Sequence, residues 1–356
     1  MRTAIIGLPM TGKTSLFTIL TGVHESTRVG SMETRVGVAK VPDPRLDALA
    51  HLFVPPKITQ AVVEYVDFPA ISKEALRDPQ YLASLRVVDA LAHVLRVFED
   101  PTVPHEKGSV DAVRDRDDVD IELILSDLVV VEKRMERLEK DRKKLKAPEL
   151  DHEFEVLVRC RKTLEEDKPL REMPLTDDDE KRIRGFQFLS QKPMLYVINA
   201  GEEHAATLAD VERDYAAKLG AKPHTAVTAV CGKIEAELAE LSAEESSEMM
   251  SSYGLLEPGL NRIITATYSL LGLMSFLTAG ETEVRAWTIP TNSPAVKAAG
   301  AIHSDFEKKF IRAEVVNWKN LVDLNGYPGV REKGLLRLEG KEYIVKDGDV
   351  LVIRHS

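Results

Sequence analysis

Short apolar runs recur along the chain, and stretches with helical spacing lie between several of them. Each run is typical of a strand buried on both faces of a sheet. The runs cover residues 3–6, 62–66, 91–97, 194–198 and 226–230. Because strands that alternate with helices favour parallel pairing, the pattern predicts a parallel α/β sheet.

A second pattern lies between the third and fourth runs. Apolar residues alternate there in steps of three and four, first from Ile121 to residue 145 and then from Leu150 to Leu164. That spacing places one apolar seam on each of two helices, as in a coiled coil. Pro148 interrupts the pattern, so we predict a helical hairpin at 118–189 whose two seams pack on each other.

The last eighty or so residues change character again. Strand-like segments are expected at 284–289, 311–316, 335–338, 343–345 and 350–353, with one helix at 294–310. These predict a small mixed sheet that carries one helix. The expected domains are a discontinuous nucleotide-binding domain at 1–117 and 190–275, the hairpin at 118–189, and a C-terminal domain at 276–356.

Composition narrows the class of protein further. The 356 residues carry a net charge of −10, which argues against general attraction to nucleic acid, so no DNA partner is expected. Cys160 and Cys231 lack metal-ligand spacing, and so few thiols fit a reducing cytosol. The most apolar stretch, 263–277, is too short for a bilayer, so a cytoplasmic protein without a membrane span is expected.

One motif carries specific chemistry. Residues 7–14 read GLPMTGKT and fit G-x-x-x-x-G-K-[ST] between a predicted strand and a predicted helix. Glycines let the loop wrap around phosphates, and Lys13 would reach the β- and γ-phosphates. The Thr14 hydroxyl would bind Mg²⁺, so Lys13 and Thr14 are the predicted catalytic residues. Asp67 ends the second run and is placed to hold the same metal ion.

These motifs and several longer segments resemble the YchF/Obg-like ATPases, translation-factor-related P-loop proteins. The resemblance covers nearly the whole chain. Its segments are VPDPRL at 41–46, FED at 98–100, RAWTI at 285–289, GAIHSDFE at 300–307, FIRAE at 310–314 and LRLEGKEYIV at 336–345. It implies a P-loop domain with a parallel-rich sheet, an inserted helical coiled-coil hairpin and a C-terminal β-grasp domain of the TGS type.

The resemblance also implies where the base of the nucleotide binds. Relatives that bind GTP carry N-K-x-D, whereas Asn199 and Glu202 stand here in Asn-Ala-Gly-Glu, which implies ATP rather than GTP. Cys231 and Gly232 lie where the family closes the base pocket. The residues expected to contact the nucleotide are therefore Gly7, Pro9, Met10, Thr11, Gly12, Lys13, Thr14, Ser15, Asn199, Glu202, Cys231 and Gly232.

Three positions depart from the family pattern. Met10 replaces an asparagine, and its thioether is only a weak acceptor. Ala70 replaces the glycine of D-x-x-G, and Pro69 before it stiffens the segment. Ser31 is aligned with a threonine that contacts Mg²⁺, in a first switch that matches the family poorly.

Together these features favour a Mg²⁺-dependent ATPase that hydrolyses ATP slowly and acts as a nucleotide-operated switch. A ribosome or RNA partner is expected through the coiled-coil and TGS surfaces. The basic stretch 133–146 is explained either as a solvated face with internal ion pairs or as an RNA contact. Three alternatives stay open: a nucleotide-gated binding module with little hydrolysis, a GTPase, and a scaffold with an inactive loop.

Overall fold

A computed structural model of the protein describes residues 1–23, 34–72, 74–144, 147–220, 222–255 and 257–356. Its strands, in chain order, are β1 Arg2–Ile6, β2 Arg35–Lys40, β3 Ile58–Thr59, β4 Val62–Asp67, β5 Ala90–Arg96, β6 Met194–Asn199, β7 Thr225–Val230, β8 Leu273–Ala279, β9 Val284–Pro290, β10 Phe310–Asn317, β11 Arg337–Glu339 and β12 Asp349–His355.

The α-helices fall between these strands. In chain order they are α1 Lys13–Thr21, α2 Pro44–Phe53, α3 Pro79–Arg86, α4 Ala112–Lys144, α5 Pro148–Glu165, α6 Asp177–Ile183, α7 Leu208–Leu219, α8 Gly232–Glu240, α9 Ala243–Ser252, α10 Gly259–Leu270, α11 Ala295–Ile302, α12 Ser304–Lys308, α13 Trp318–Asp323 and α14 Tyr327–Glu332. None of the helices in the described ranges is long and apolar enough to span a membrane.

The predicted parallel sheet is confirmed. Its strand order is β2-β4-β1-β5-β6-β7, and the pairs from β4 through to β7 are parallel. Strands β5 and β6 are buried along their whole length, which explains why they read as unbroken apolar runs. Since parallel strands end at one edge, the segments after β1, β4 and β6 meet there.

The predicted hairpin forms from α4 and α5. Its core contains Ile124, Val131, Met135, Leu138, Val156, Leu157, Cys160 and Leu164. Pro148 begins α5, where its missing N–H costs nothing, so it interrupts the pattern between the two helices as predicted. Ile121, expected in the first seam, is 41% exposed, because the packed seam begins at Ile124.

Two buried aspartates anchor α4 to its neighbours in the same unit. The Asp120 carboxylate accepts hydrogen bonds from Arg171 at 2.6 Å and from the Tyr196 hydroxyl at 2.9 Å. Further along α4, the fully buried Asp127 accepts from the backbone N–H groups of Leu189 and Ser190. Burial raises the pKa of Asp127. These contacts fix the base of the long helix.

The C-terminal residues, together with β3, form a second sheet of order β11-β10-β12-β8-β9-β3. Two sequence predictions were wrong here, and one strand was missed. Residues 343–345 are not a strand, since only an isolated bridge joins Ile344 to Pro294. The predicted helix 294–310 divides into α11 and α12 at the extended His303. Strand β8 was not predicted, because its apolar run continues that of α10.

The chain divides into two compact units: Met1–Gly37 with Glu64–Ala266, and Val38–Val63 with Thr267–Ser356. Within the second unit, Arg45 forms an ion pair with Asp347 at 2.7 Å, and the Phe53 and Tyr327 rings lie 5.7 Å apart. These long-range contacts attach α2 to the C-terminal sheet. The three-domain division stays a prediction.

His93 is a buried polar side chain in the middle of β5. Its ring lies 6.0 Å from that of Tyr196, and neither ring nitrogen has a hydrogen-bond partner in the described part of the chain. Burial lowers the pKa of His93 to about 4, so the ring is neutral in the folded protein at pH 7.

We therefore expect His93 to weaken the fold in acid. Its folded pKa lies below the unfolded value, so the unfolded chain binds more protons as pH falls below about 6.5. Going from pH 7 to pH 5 should cost about 2 kcal/mol of unfolding free energy through this residue. Urea denaturation at both pH values tests this: His93→Leu should lose less stability in acid than the wild type. Equal losses of unfolding free energy in the wild type and in His93→Leu would contradict the prediction. His152→Leu, a substitution at an exposed position, is the control.

Candidate functional site

The glycine loop lies between β1 and α1, as its motif predicts. Gly7, with φ of 146°, lies against β5, since a Cβ there would come 2.7 Å from the carbonyl oxygen of Val94. Gly12 has φ of 93° and caps α1. Met10 also adopts a positive φ, 59°, which is unusual for a residue with a side chain. The loop therefore wraps at the N-terminus of a helix, where backbone N–H groups favour an anion.

Lys13 begins α1 and is 7% exposed. Its Nζ donates a hydrogen bond of 2.6 Å to the carbonyl oxygen of Leu8, on the opposite arm of the loop. Burial lowers the pKa of Lys13 to about 8, and the negative charges of Asp67 and Glu106 oppose that shift. A partly desolvated ammonium group held against the loop can bind phosphate oxygens strongly.

Thr14 and Asp67 meet at the end of β4. The Thr14 hydroxyl donates to Asp67 Oδ2 at 3.1 Å, and the Arg35 guanidinium contacts the same oxygen at 2.5 Å. The other carboxylate oxygen, Asp67 Oδ1, is buried and has no hydrogen-bond partner in the described ranges. A hydroxyl beside a carboxylate with a spare oxygen is a set of hard donors that fits Mg²⁺.

Asn199, at the end of β6, links two loops of the site. Its Nδ2 donates to the Thr11 carbonyl oxygen at 3.0 Å, and its Oδ1 accepts from the Gly232 N–H at 3.0 Å. A Cβ on Gly12 would lie 2.5 Å from Asn199 Nδ2, so glycine is needed for this approach. Both ends of the amide are satisfied within the protein, and Asn199 therefore links the glycine loop to the start of α8.

Glu202 follows β6 and forms an ion pair with Lys233 at 2.8 Å. Cys231 precedes α8 with its thiol buried, and burial raises the pKa of that thiol. The structure thus brings Asn199, Glu202, Cys231 and Gly232 to one side of the glycine loop. Their assignment to the base pocket stays a prediction.

The segment after Asp67 packs against the glycine loop. The Ile71 N–H donates to the Gly7 carbonyl oxygen at 3.1 Å, and the Ile71 side chain is 3% exposed. Phe68 is buried as well and makes an edge-on ring contact with Tyr81. Position 71 therefore holds an apolar side chain that packs in the core.

One predicted residue and one residue that was not predicted stand apart from the rest of the site. Ser31 lies outside the described residues, so its role as a metal ligand stays a prediction. Arg35, in contrast, was not predicted to belong to the site. Arg35 begins β2, where exposed and buried residues alternate, and that alternation could have identified a strand. No local spacing, however, marks a side chain that reaches Asp67.

A strand that leads through a glycine loop to a helix with Lys13, and a neighbouring strand that ends in Asp67, define a P-loop NTPase. Comparison with known proteins narrows this class. The chain is 40% identical to the ribosome-binding ATPase YchF of Bacillus subtilis (strain 168), over 99% of this chain and 98% of that protein. The chain belongs to the YchF family.

Further comparisons agree. The ribosome-binding ATPase YchF of Escherichia coli O157:H7 is 39% identical, over 98% of this chain and 97% of that protein. The solved structure of the Schizosaccharomyces pombe YchF GTPase is 25% identical with a TM-score of 0.84, and covers 99% of this chain and 97% of that chain. A family model described as YchF-GTPase_C, protein of unknown function (DUF933), matches residues 273–356.

Proposed function

We propose that this protein is a cytoplasmic Mg²⁺-dependent ATPase that hydrolyses ATP slowly and prefers it to GTP, and that its nucleotide state regulates binding to the ribosome. The observation that carries the proposal is the assembly of Lys13, Thr14 and Asp67 around one loop. Lys13 would bind the β- and γ-phosphates, while Thr14 and Asp67 would hold Mg²⁺. When bound, the metal ion neutralises charge on the phosphates.

The ATP preference is supported at the Glu202 position. Guanine recognition by a carboxylate needs an acceptor that is free to meet the two donors on the guanine edge. Glu202 is instead paired with Lys233 at 2.8 Å. Adenine has no such pair of donors, so its binding is not weakened when that carboxylate is paired with Lys233. The names of the relatives differ on this point, because two are called ATPases and the solved Schizosaccharomyces pombe structure is called a GTPase.

Slow hydrolysis is supported by the segment after Asp67. The Ile71 side chain has no hydrogen-bonding group and is buried, so it does not orient a water molecule. Lys13 and the loop N–H groups can still stabilise charge on the transferring phosphoryl group. Because position 71 does not orient a water molecule, and because Pro69 and Ala70 stiffen the segment before it, we expect a low rate of hydrolysis.

The ribosome partner is supported by the names of the relatives and by one surface. Several basic side chains of α4 are exposed: Lys133, Arg137, Lys140, Lys143 and Lys144. Two others pair across the hairpin, Arg134 with Glu153 and Arg142 with Asp151. We propose that the exposed set contacts RNA phosphates, with the hairpin at 118–189 and the TGS-like domain at 276–356 as separate contact surfaces.

Calorimetric titration of the wild type with Mg-ATP and Mg-GTP tests the nucleotide choice. We expect ATP to bind at least about tenfold more tightly, a difference of about 1.4 kcal/mol. Lys233→Ala should narrow that ratio by freeing Glu202, whereas Lys222→Ala, which breaks an exposed pair with Glu172, should leave it unchanged. GTP binding as tight as ATP binding would overturn the role given to Glu202. Single-turnover hydrolysis separates a slow ATPase from a binding module.

A further inference from the structure

Asp67 is shared between a proposed metal site and an arginine. Its Oδ2 accepts from Thr14 at 3.1 Å and from Arg35 at 2.5 Å. The Arg35 and Asp67 side chains are only 10% and 8% exposed, so water screens their attraction poorly. The carboxylate that would bind Mg²⁺ is therefore already paired with a cation of this chain.

Further contacts hold Arg35 in this position. Its guanidinium lies over the Phe17 ring, 5.0 Å from the centroid, and Phe17 belongs to the helix that begins at Lys13. Its backbone begins β2, an edge strand of the sheet. An arginine can stack on a ring and bind a carboxylate at once, which a lysine does less well.

Mg²⁺ and Arg35 compete for Asp67 on electrostatic grounds. A divalent cation at Thr14 and Asp67 would face the positive guanidinium at close range, in a partly buried setting where like charges repel strongly. Phosphate oxygens offer the guanidinium another anionic partner. Nucleotide and metal together could therefore release Arg35, whereas the metal alone would have to displace it without compensation.

We propose that Arg35 is a resident cation that takes the place of Mg²⁺ at Asp67, so that nucleotide binding depends only weakly on the metal. The proposal rests on the proposed function, since it takes Thr14 and Asp67 as the metal ligands. Arg35 is a positioning residue: its charge sets the electrostatics of Asp67 and the concentration of Mg²⁺ that the site needs.

The test compares the affinity for a fluorescent ATP analogue in EDTA and in Mg²⁺. In the wild type the two dissociation constants should differ little. In Arg35→Gln the affinity in EDTA should fall, so that the dissociation constant in EDTA divided by that in Mg²⁺ rises at least about tenfold. The half-saturating Mg²⁺ concentration should also decrease. Arg2→Gln is the matched control, because Arg2 forms an exposed pair with Glu64 on the same sheet.

An unchanged ratio in a folded Arg35→Gln variant would overturn the inference. If that variant does not fold, Arg35→Lys keeps the charge and serves to assign the Arg35 Nε–Hε resonance by NMR. That resonance should move when Mg²⁺ in excess over EDTA is added to the wild-type complex with the analogue. A resonance that does not move would overturn the proposal. Failure of the proposed function is distinct, because the wild type would then bind no analogue in either buffer.

Discussion

Replacing Lys13 with methionine is expected to weaken Mg-ATP binding by at least about 100-fold, because contacts between a charged group and phosphate each contribute about 1.5–3 kcal/mol. Methionine keeps most of the buried aliphatic stem and removes only the ammonium group. Calorimetric titration with Mg-ATP measures the loss. Affinity retained within tenfold of the wild type would contradict the role of Lys13.

The same substitution should affect stability in the opposite direction. The pKa of Lys13 is lowered to about 8 because folding buries its charge, and at pH 7 that burial costs the fold about 3 kcal/mol at most. The folded pKa lies below the unfolded value, so this cost is fully present below about pH 8 and fades as pH rises toward about 10.5. Lys13→Met should therefore be at least as stable as the wild type in urea without nucleotide.

Lys192 provides a matched control for both measurements. It is a half-buried lysine whose pKa burial also lowers to about 8, and its Nζ donates to the carbonyl oxygens of Arg86 and Val88. It lies just before β6, at the opposite end of that strand from Asn199. Lys192→Met should leave Mg-ATP affinity unchanged, so a loss in both variants would point to a general effect on the fold.

Arg171→Met is expected to have the largest effect on stability, a loss of about 3–5 kcal/mol in unfolding free energy. Arg171 is 3% exposed and bonds to both Asp120 and the Tyr196 hydroxyl. Removing it leaves the Asp120 charge buried on α4 without its cation. Urea denaturation followed by circular dichroism measures the loss.

Two further variants show whether the buried charge is the cause. The double variant Asp120→Leu, Arg171→Met removes both charges and should recover most of the lost stability. Arg213→Met breaks an exposed pair with Asp210 and should cost less than about 1 kcal/mol. If the double variant is as unstable as Arg171→Met, lost packing and not an unpaired charge explains the effect.

Local sequence determined much of this protein. The buried strands of the parallel sheet read as apolar runs because both faces of each strand are covered. The GLPMTGKT motif placed Lys13 and Thr14 at a helix start, since a strand, a glycine loop and a helix must follow one another there. The spacing of three and four predicted the hairpin, although it placed Ile121 in a seam that begins only at Ile124.

Tertiary structure alone decided the contacts between distant segments. Asn199 joins Thr11 to Gly232, Arg35 pairs with Asp67, and α2 joins the C-terminal sheet through Arg45 and Asp347. Nothing in the flanking residues of Asn199 or Arg35 specifies these partners. Periodicity reports only which face of an element is buried, whereas a hydrogen bond or ion pair depends on which side chain the folded chain brings within about 3 Å.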